Sequence, residues 1–152
     1  MRGFTLIELM VVLAVIALAV TFAVPNLAAL SDGAQYRKAI RDVVSAAHQA
    51  RCKAMHHNAS VDLLFEPSRH RYALRHEDQK VGDVEFFELP ESLQLSVTAA
   101  AQLSPTEGIS VIRFYPQGGS SGGDIELVRE TGAGTLLQVS WLLADVRQRS
   151  ID

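Results

Sequence analysis

Glu8 is the first residue to explain. It stands in Gly3-Phe4-Thr5-Leu6-Ile7-Glu8-Leu9, and from Phe4 to Leu30 it is the one charged side chain. A carboxylate at the centre of a bilayer costs about 3 kcal/mol, so something must offset it. Hydrolysis of the Gly3-Phe4 bond would do so. Gly3 has no side chain and suits a protease subsite reached through the backbone. The cut creates an α-ammonium on Phe4, one helical turn from Glu8 and on the same helix face. That amine can come from the same chain or from a neighbour in an assembly. In either case the pair acts as a register device.

Other patterns also invite a chemical reading. Gly118-Gly119-Ser120-Ser121-Gly122 satisfies the G-x-S-x-G form of hydrolases. That elbow needs a strand before it and a helix after it. Here Asp124–Glu130 reads as a strand, so a hairpin loop is expected, either a docking element or a loose turn. Gly132-Ala133-Gly134 lacks the third glycine and the βαβ setting of a dinucleotide site. His56-His57 ends a helix, with the two rings on different faces, and His70 and His76 sit in a charged stretch. No Cys/His pair has zinc-finger spacing, so no metal and no cofactor are expected. Arg69, His70, Arg71, Arg75 and His76 cluster, and Arg147-Gln148-Arg149 lies near the end. Asp145 and Asp152 dilute the latter, and a solvated surface is expected there. No catalytic set emerges, and the chain is read as a non-enzyme.

The elements that position Glu8 begin with the apolar run. Leu9–Val24 is apolar apart from Thr21. As a helix it spans roughly 24 Å, and Phe4–Leu30 roughly 40 Å, against a hydrocarbon core of roughly 30 Å. Three readings compete. One is a single transmembrane helix. Another is a secretory signal with Arg2 as its basic region and a cut near Ala23 or Ala28-Ala29, which Glu8 fits badly. The third is the cut before Phe4, which keeps the whole helix. Pro25 removes one helical hydrogen bond and is read as a kink, because helical patterning resumes beyond it.

Tyr36, Ile40, Val43, Val44, Ala47, Ala54 and Met55 recur at three- and four-residue spacing. This predicts an amphipathic helix over about 34–57 whose stripe packs on a sheet. Ser31-Asp32-Gly33 can interrupt or re-cap the helix, with Ser31 or Asp32 as N-cap. From about 60 to 152 the pattern turns to short alternating runs. These are Val61–Phe65, Tyr72–Leu74, Val84–Leu89, Leu93–Val97, Ile109–Tyr115, Asp124–Glu130 and Thr135–Leu143. The fold class is α+β: a long N-terminal helix packed against a mostly antiparallel β head.

The 152 residues carry a net charge of −3, which argues against nucleic acid as the main partner. The single cysteine, Cys52, excludes an intramolecular disulfide. It is read as a partly buried free thiol on a helix.

Gly3-Phe4-Thr5-Leu6-Ile7-Glu8, with the apolar helix and Pro25, resembles the N-terminus of type IV prepilins and type II secretion pseudopilins. The leader, Met1-Arg2-Gly3, is very short for that superfamily. The rest of the chain resembles its GspH/FimT group. The residues that carry this are Gln49-Ala50-Arg51-Cys52-Lys53-Ala54, Arg71-Tyr72-x-Leu74, Leu89-Pro90-Glu91-Ser92-Leu93 and, above all, Ile112–Leu127 with its glycine loop. The resemblance implies a leader over 1–3, a transmembrane and assembly helix over 4–30, and a periplasmic head over 31–152. It implies cleavage by a prepilin peptidase after Gly3, N-methylation of Phe4, and a docking role for Glu8. The protein would be a minor pseudopilin of the inner membrane, near the tip of a short pseudopilus that exports folded proteins. Its partners would be other minor and major pseudopilins and an inner-membrane assembly platform. The glycine loop of Gly118, Gly119, Ser120, Ser121, Gly122 and Gly123 stays open between a docking loop and a loose turn. The alternative is a FimT/FimU-like minor pilin of a type IV pilus acting as a DNA-uptake receptor through arginines near its C-terminus.

Overall fold

The computed structural model describes residues 5–151, with the backbone alone over 20–31 and at 101. Gly3 and Phe4 lie outside the described residues. The chain forms two compact units, Met1–Gln35 and Tyr36–Asp152.

Helix α1 runs Leu6–His57. The Thr5 carbonyl accepts from the Glu8 amide at 3.1 Å and the Leu9 amide at 3.3 Å, which starts the helical ladder. Ser31-Asp32-Gly33 does not interrupt or re-cap it, contrary to the sequence expectation. Propagation adds a hydrogen bond per residue, and a single glycine costs only about 1 kcal/mol between flanking alanines and leucines. The helix also continues through Pro25. The kink expected there lies in the stretch whose side chains are outside the described residues. Among the described residues no helix is long and apolar enough to cross a membrane. The span expected over 4–30 includes residues 20–30, whose side chains are outside the description.

In the second unit α1 ends on Asn58, which takes the left-handed conformation at φ 50°. The Ala59 amide then donates back to the Ala54 carbonyl at 3.3 Å, the six-to-one bond of a Schellman stop. The buried stripe of this part is Ala39, Val43, Ala46, Ala47, Ala50 and Ala54. Small side chains let the helix approach the sheets closely. Tyr36, Ile40 and Val44 flank the stripe, whereas Met55, expected within it, is exposed.

Eight strands follow among the described residues: β1 Val61–Glu66, β2 Arg71–His76, β3 Phe86–Glu88, β4 Leu93–Ala99, β5 Ser110–Phe114, β6 Gly123–Arg129, β7 Gly134–Val139 and β8 Val146–Ile151. They form two four-stranded sheets, ordered β3-β2-β1-β5 and β4-β6-β7-β8. Every pair is antiparallel. One core joins the sheets to the helix stripe, with Leu63, Phe65, Ile112, Phe114, Ile125, Leu127 and Leu137 fully buried. The other face of the first sheet carries a smaller cluster of Leu64, Ala73 and Val111.

Two expectations about the strands need correction. The glycine segment after β5 is not a simple hairpin, because β5 and β6 belong to different sheets. The segment first folds back on β5, with the Tyr115 amide donating to the Gly119 carbonyl at 2.9 Å. It then crosses to the second sheet at Gly122 and Gly123. Also, β7 stops at Val139 rather than Leu143. Residues 140–145 form a tight turn in which the Ser140 amide donates to the Asp145 carbonyl and the Ala144 amide to the Ser140 carbonyl. This turn returns the chain as β8, so Arg147-Gln148-Arg149 lies on an exposed edge strand that the alternation did not mark.

Candidate functional site

The first candidate site is the start of α1. Glu8 lies in the first helical turn, where the helix dipole favours a carboxylate. It is exposed, and among the described residues it has no ion-pair partner. Around it Leu6, Ile7, Leu9, Met10 and Leu13 are all exposed. A carboxylate at the edge of an uncovered apolar helix is a single polar mark on a surface otherwise made for burial.

The second candidate site is where two loops of the head meet. Ser120 is buried, and its hydroxyl donates to the Ser140 carbonyl at 2.9 Å while accepting from the Gly122 amide at 3.0 Å. The Ser120 amide donates to the Trp141 carbonyl at 2.9 Å. Ser121 closes the other side: its amide donates to the Arg113 carbonyl at 2.7 Å, and its hydroxyl accepts from the Arg113 amide at 3.0 Å. The glycine loop is therefore tied down on both flanks and is not a loose turn. The close approach needs glycine at 119, where a Cβ would stand 3.0 Å from the Trp141 carbonyl oxygen. The element that follows, from Gly123, is strand β6 and not a helix, and the Ser120 hydroxyl is spent on structure. The G-x-S-x-G pattern here is a tether between loops.

What the tether holds out is Trp141, Leu142 and Leu143, all exposed. Sequence reasoning read them as the end of a strand. The available signal was their lack of alternation: four uncharged residues, Trp141–Ala144, between a serine and an aspartate.

A third group was also missed. Asp62 is 2% exposed on β1, the central strand of its trio. Its direct register partners are Arg75 on β2 and Arg113 on β5. Arg113 grips both carboxylate oxygens, Nε at 2.6 Å and Nη2 at 3.0 Å, and Arg75 binds from the other side. Burial alone would push the Asp62 carboxyl up. The hydrogen bonds and charges of Arg113 and Arg75 outweigh that and hold it below its ordinary value. Arg71 likewise pairs with Glu66 at 2.6 Å and lies over the Phe86 ring at 4.1 Å.

The remaining polar candidates are dispersed. Arg147 pairs with Asp145 at 3.3 Å on the exposed edge strand. His57 and His76, far apart in sequence, bring their rings to 5.7 Å. Among the described residues no group of His, Cys, Asp or Glu is placed to hold a metal ion. Cys52, read as partly buried, is exposed.

A helical N-terminal segment with an uncovered apolar surface, together with a helix-backed, two-sheet head, defines a pilin-like subunit. Comparison with known proteins narrows the class. Residues 1–24 match the prokaryotic N-terminal methylation motif, and residues 39–143 match the family of type II transport protein GspH. The chain belongs to that GspH family. It is 28% identical over 147 residues to the type II secretion system protein H of Xanthomonas campestris pv. campestris, covering 97% of this chain and 82% of that protein. Its fold is similar to that of the minor pseudopilin EpsH from the type 2 secretion system of Vibrio cholerae. The TM-score is 0.57 at 9% identity, over 77% of this chain and 96% of the other.

Proposed function

We propose that this chain is a minor pseudopilin: a structural, non-enzymatic subunit near the tip of a type II secretion pseudopilus, acting in export of folded proteins across the outer membrane. The observation that carries this reading is the presence on one chain of the methylation motif over 1–24 and the GspH match over 39–143. The physical arrangement supports it. The exposed apolar surface of Leu6–Leu18 suits lateral packing against other stems, and the head is left to make side contacts. In this reading a prepilin peptidase cuts between Gly3 and Phe4, and Phe4 is N-methylated. Its new ammonium, or that of a neighbouring subunit, pairs with Glu8. The stem sits in the inner membrane until assembly, with the head in the periplasm.

The test is the intact mass and N-terminal sequence of the protein from native membranes. The expected chain begins at N-methylated Phe4. A chain beginning between Ala23 and Leu30 would make the first segment a secretory signal and remove the stem on which the reading depends.

A further inference from the structure

The exposed Trp141-Leu142-Leu143 tip lies at a definite end of the head. The chain enters this unit at Tyr36, whose hydroxyl is 2.8 Å from that of Thr135 near the start of β7. At the far end of the same helix, a Cβ on Gly118 would lie 3.7 Å from the Met55 sulfur and 3.9 Å from Arg51 Nη2. From Tyr36 to Arg51 the helix rises roughly 22 Å. From Thr135 to Val139 the strand advances roughly 13 Å, and Trp141 follows in the turn at its end. The two paths run side by side, so the Trp141 turn stands at the end of the head away from the chain's entry.

Three features meet there across Gly118 and Gly119. Trp141, Leu142 and Leu143 are 71%, 61% and 56% exposed, and Met55 is 51% exposed. Segment 141–144 carries no charge. Arg51 has no acidic partner among the described residues, and its Nε is buried without a hydrogen-bond acceptor. Large apolar anchors beside an arginine that lacks a counter-ion form the composition of an interaction hot spot.

We propose that this end docks the head of a different pilin-like subunit, which offers an apolar recess for Trp141 and Leu142 and a carboxylate for Arg51. The proposal rests on the pseudopilin reading above and names the surface used. Charge selects the occupant. A twofold contact between two copies of this chain would place two Arg51 guanidiniums in one interface. A lipid surface is disfavoured because the chain enters the head from the opposite end.

The experiment places a photoreactive benzoylphenylalanine at Leu142 in the full-length chain, in cells carrying its secretion apparatus. The same probe at Leu13 reports stem packing. The expected result is an adduct from position 142 with another pilin-like subunit, identified by mass spectrometry. Arg51→Glu and, independently, Trp141→Ala should lower its yield about tenfold, with the Leu13 adducts unchanged. Trp141 is largely exposed, so its replacement spares the core. Adducts at 142 only with a second copy or only with lipid, or no adduct, with normal Leu13 adducts, would overturn the docking proposal. Loss of pilin-like adducts from Leu13 as well would overturn the pseudopilin reading on which it rests.

Discussion

Asp62 and Arg113 face each other as direct partners across the β1–β5 pair, and the arginine holds both carboxylate oxygens within 3.0 Å. With Arg75 on the opposite neighbour, the buried carboxylate clamps three strands at one level.

The clamp makes stability depend on pH in a defined direction. The Asp62 carboxyl is held below its ordinary value of 3.8 in the folded chain. Its contribution is therefore complete above that unfolded value and is lost as pH falls through the lower folded one. Asp62→Asn leaves two arginines without their counter-charge and should cost about 3 kcal/mol at neutral pH. Denaturation of both proteins in detergent, followed across pH, should show a constant gap from about pH 5 to 8 that narrows as pH falls below about 4. A gap that persists unchanged at acid pH would show that the loss comes from packing.

Ser120→Ala removes the donor to the Ser140 carbonyl and the acceptor for the Gly122 amide. Leaving such groups unsatisfied costs about 1–3 kcal/mol. The effect should be local as well as global, because the same tether fixes the Trp141 turn. Trp141 is the chain's single tryptophan, so its fluorescence anisotropy reads that turn directly. The variant should show lower anisotropy and a lower unfolding midpoint together.

Much of the fold was legible because it rests on periodicity. The alternation Val61, Leu63, Phe65 marked the face that meets the helix, and the three-to-four spacing around Val43 marked the stripe that covers it. Glu8 stands out in the sequence for the opposite reason, as the one charge from Phe4 to Leu30. The misses have physical causes. Alanine registers only weakly as apolar in a pattern, so the expected stripe holds Ala47 and Ala54 but lacks the buried Ala39, Ala46 and Ala50, and takes in the exposed Met55 instead. Asp62, Arg75 and Arg113 each look like ordinary outward residues until register brings them together. Strand β8 was hidden because an edge strand with Arg147 and Arg149 facing solvent carries almost no apolar signal. The sheet change at Gly122–Gly123 has no sequence mark that separates it from a hairpin turn.

Gly123→Ala probes that sheet change. A Cβ there would stand 2.9 Å from the Thr98 carbonyl oxygen and 3.1 Å from two carbons of the Ile112 side chain. One obstacle is backbone of the paired strand β4 and the other is core, so neither yields cheaply. The expected loss is about 2–4 kcal/mol, seen as a lower unfolding midpoint. Gly132→Ala meets no atom within 4 Å but would sit at φ 89°. Its cost should be backbone strain alone, about 1–2 kcal/mol. A Gly123 variant no weaker than the Gly132 variant would show that the strand crossing has room to move.

Glu8 carries the last prediction. Its carboxylate is exposed on an apolar helix face in the isolated chain, so it contributes little to this fold and its cost falls on assembly. Glu8→Gln keeps the shape and removes the charge. It should leave processing and membrane association intact while lowering incorporation into pseudopili at least about tenfold, because an ammonium buried in the filament then lacks its partner. Gly3→Val attacks the same pair from the other side: the chain should stay uncut, and no ammonium forms on Phe4. Mass spectrometry separates the two variants, and sheared-filament fractions measure incorporation. If Glu8→Gln assembles normally, the carboxylate is not the register device, and the stem packs by its apolar surface alone.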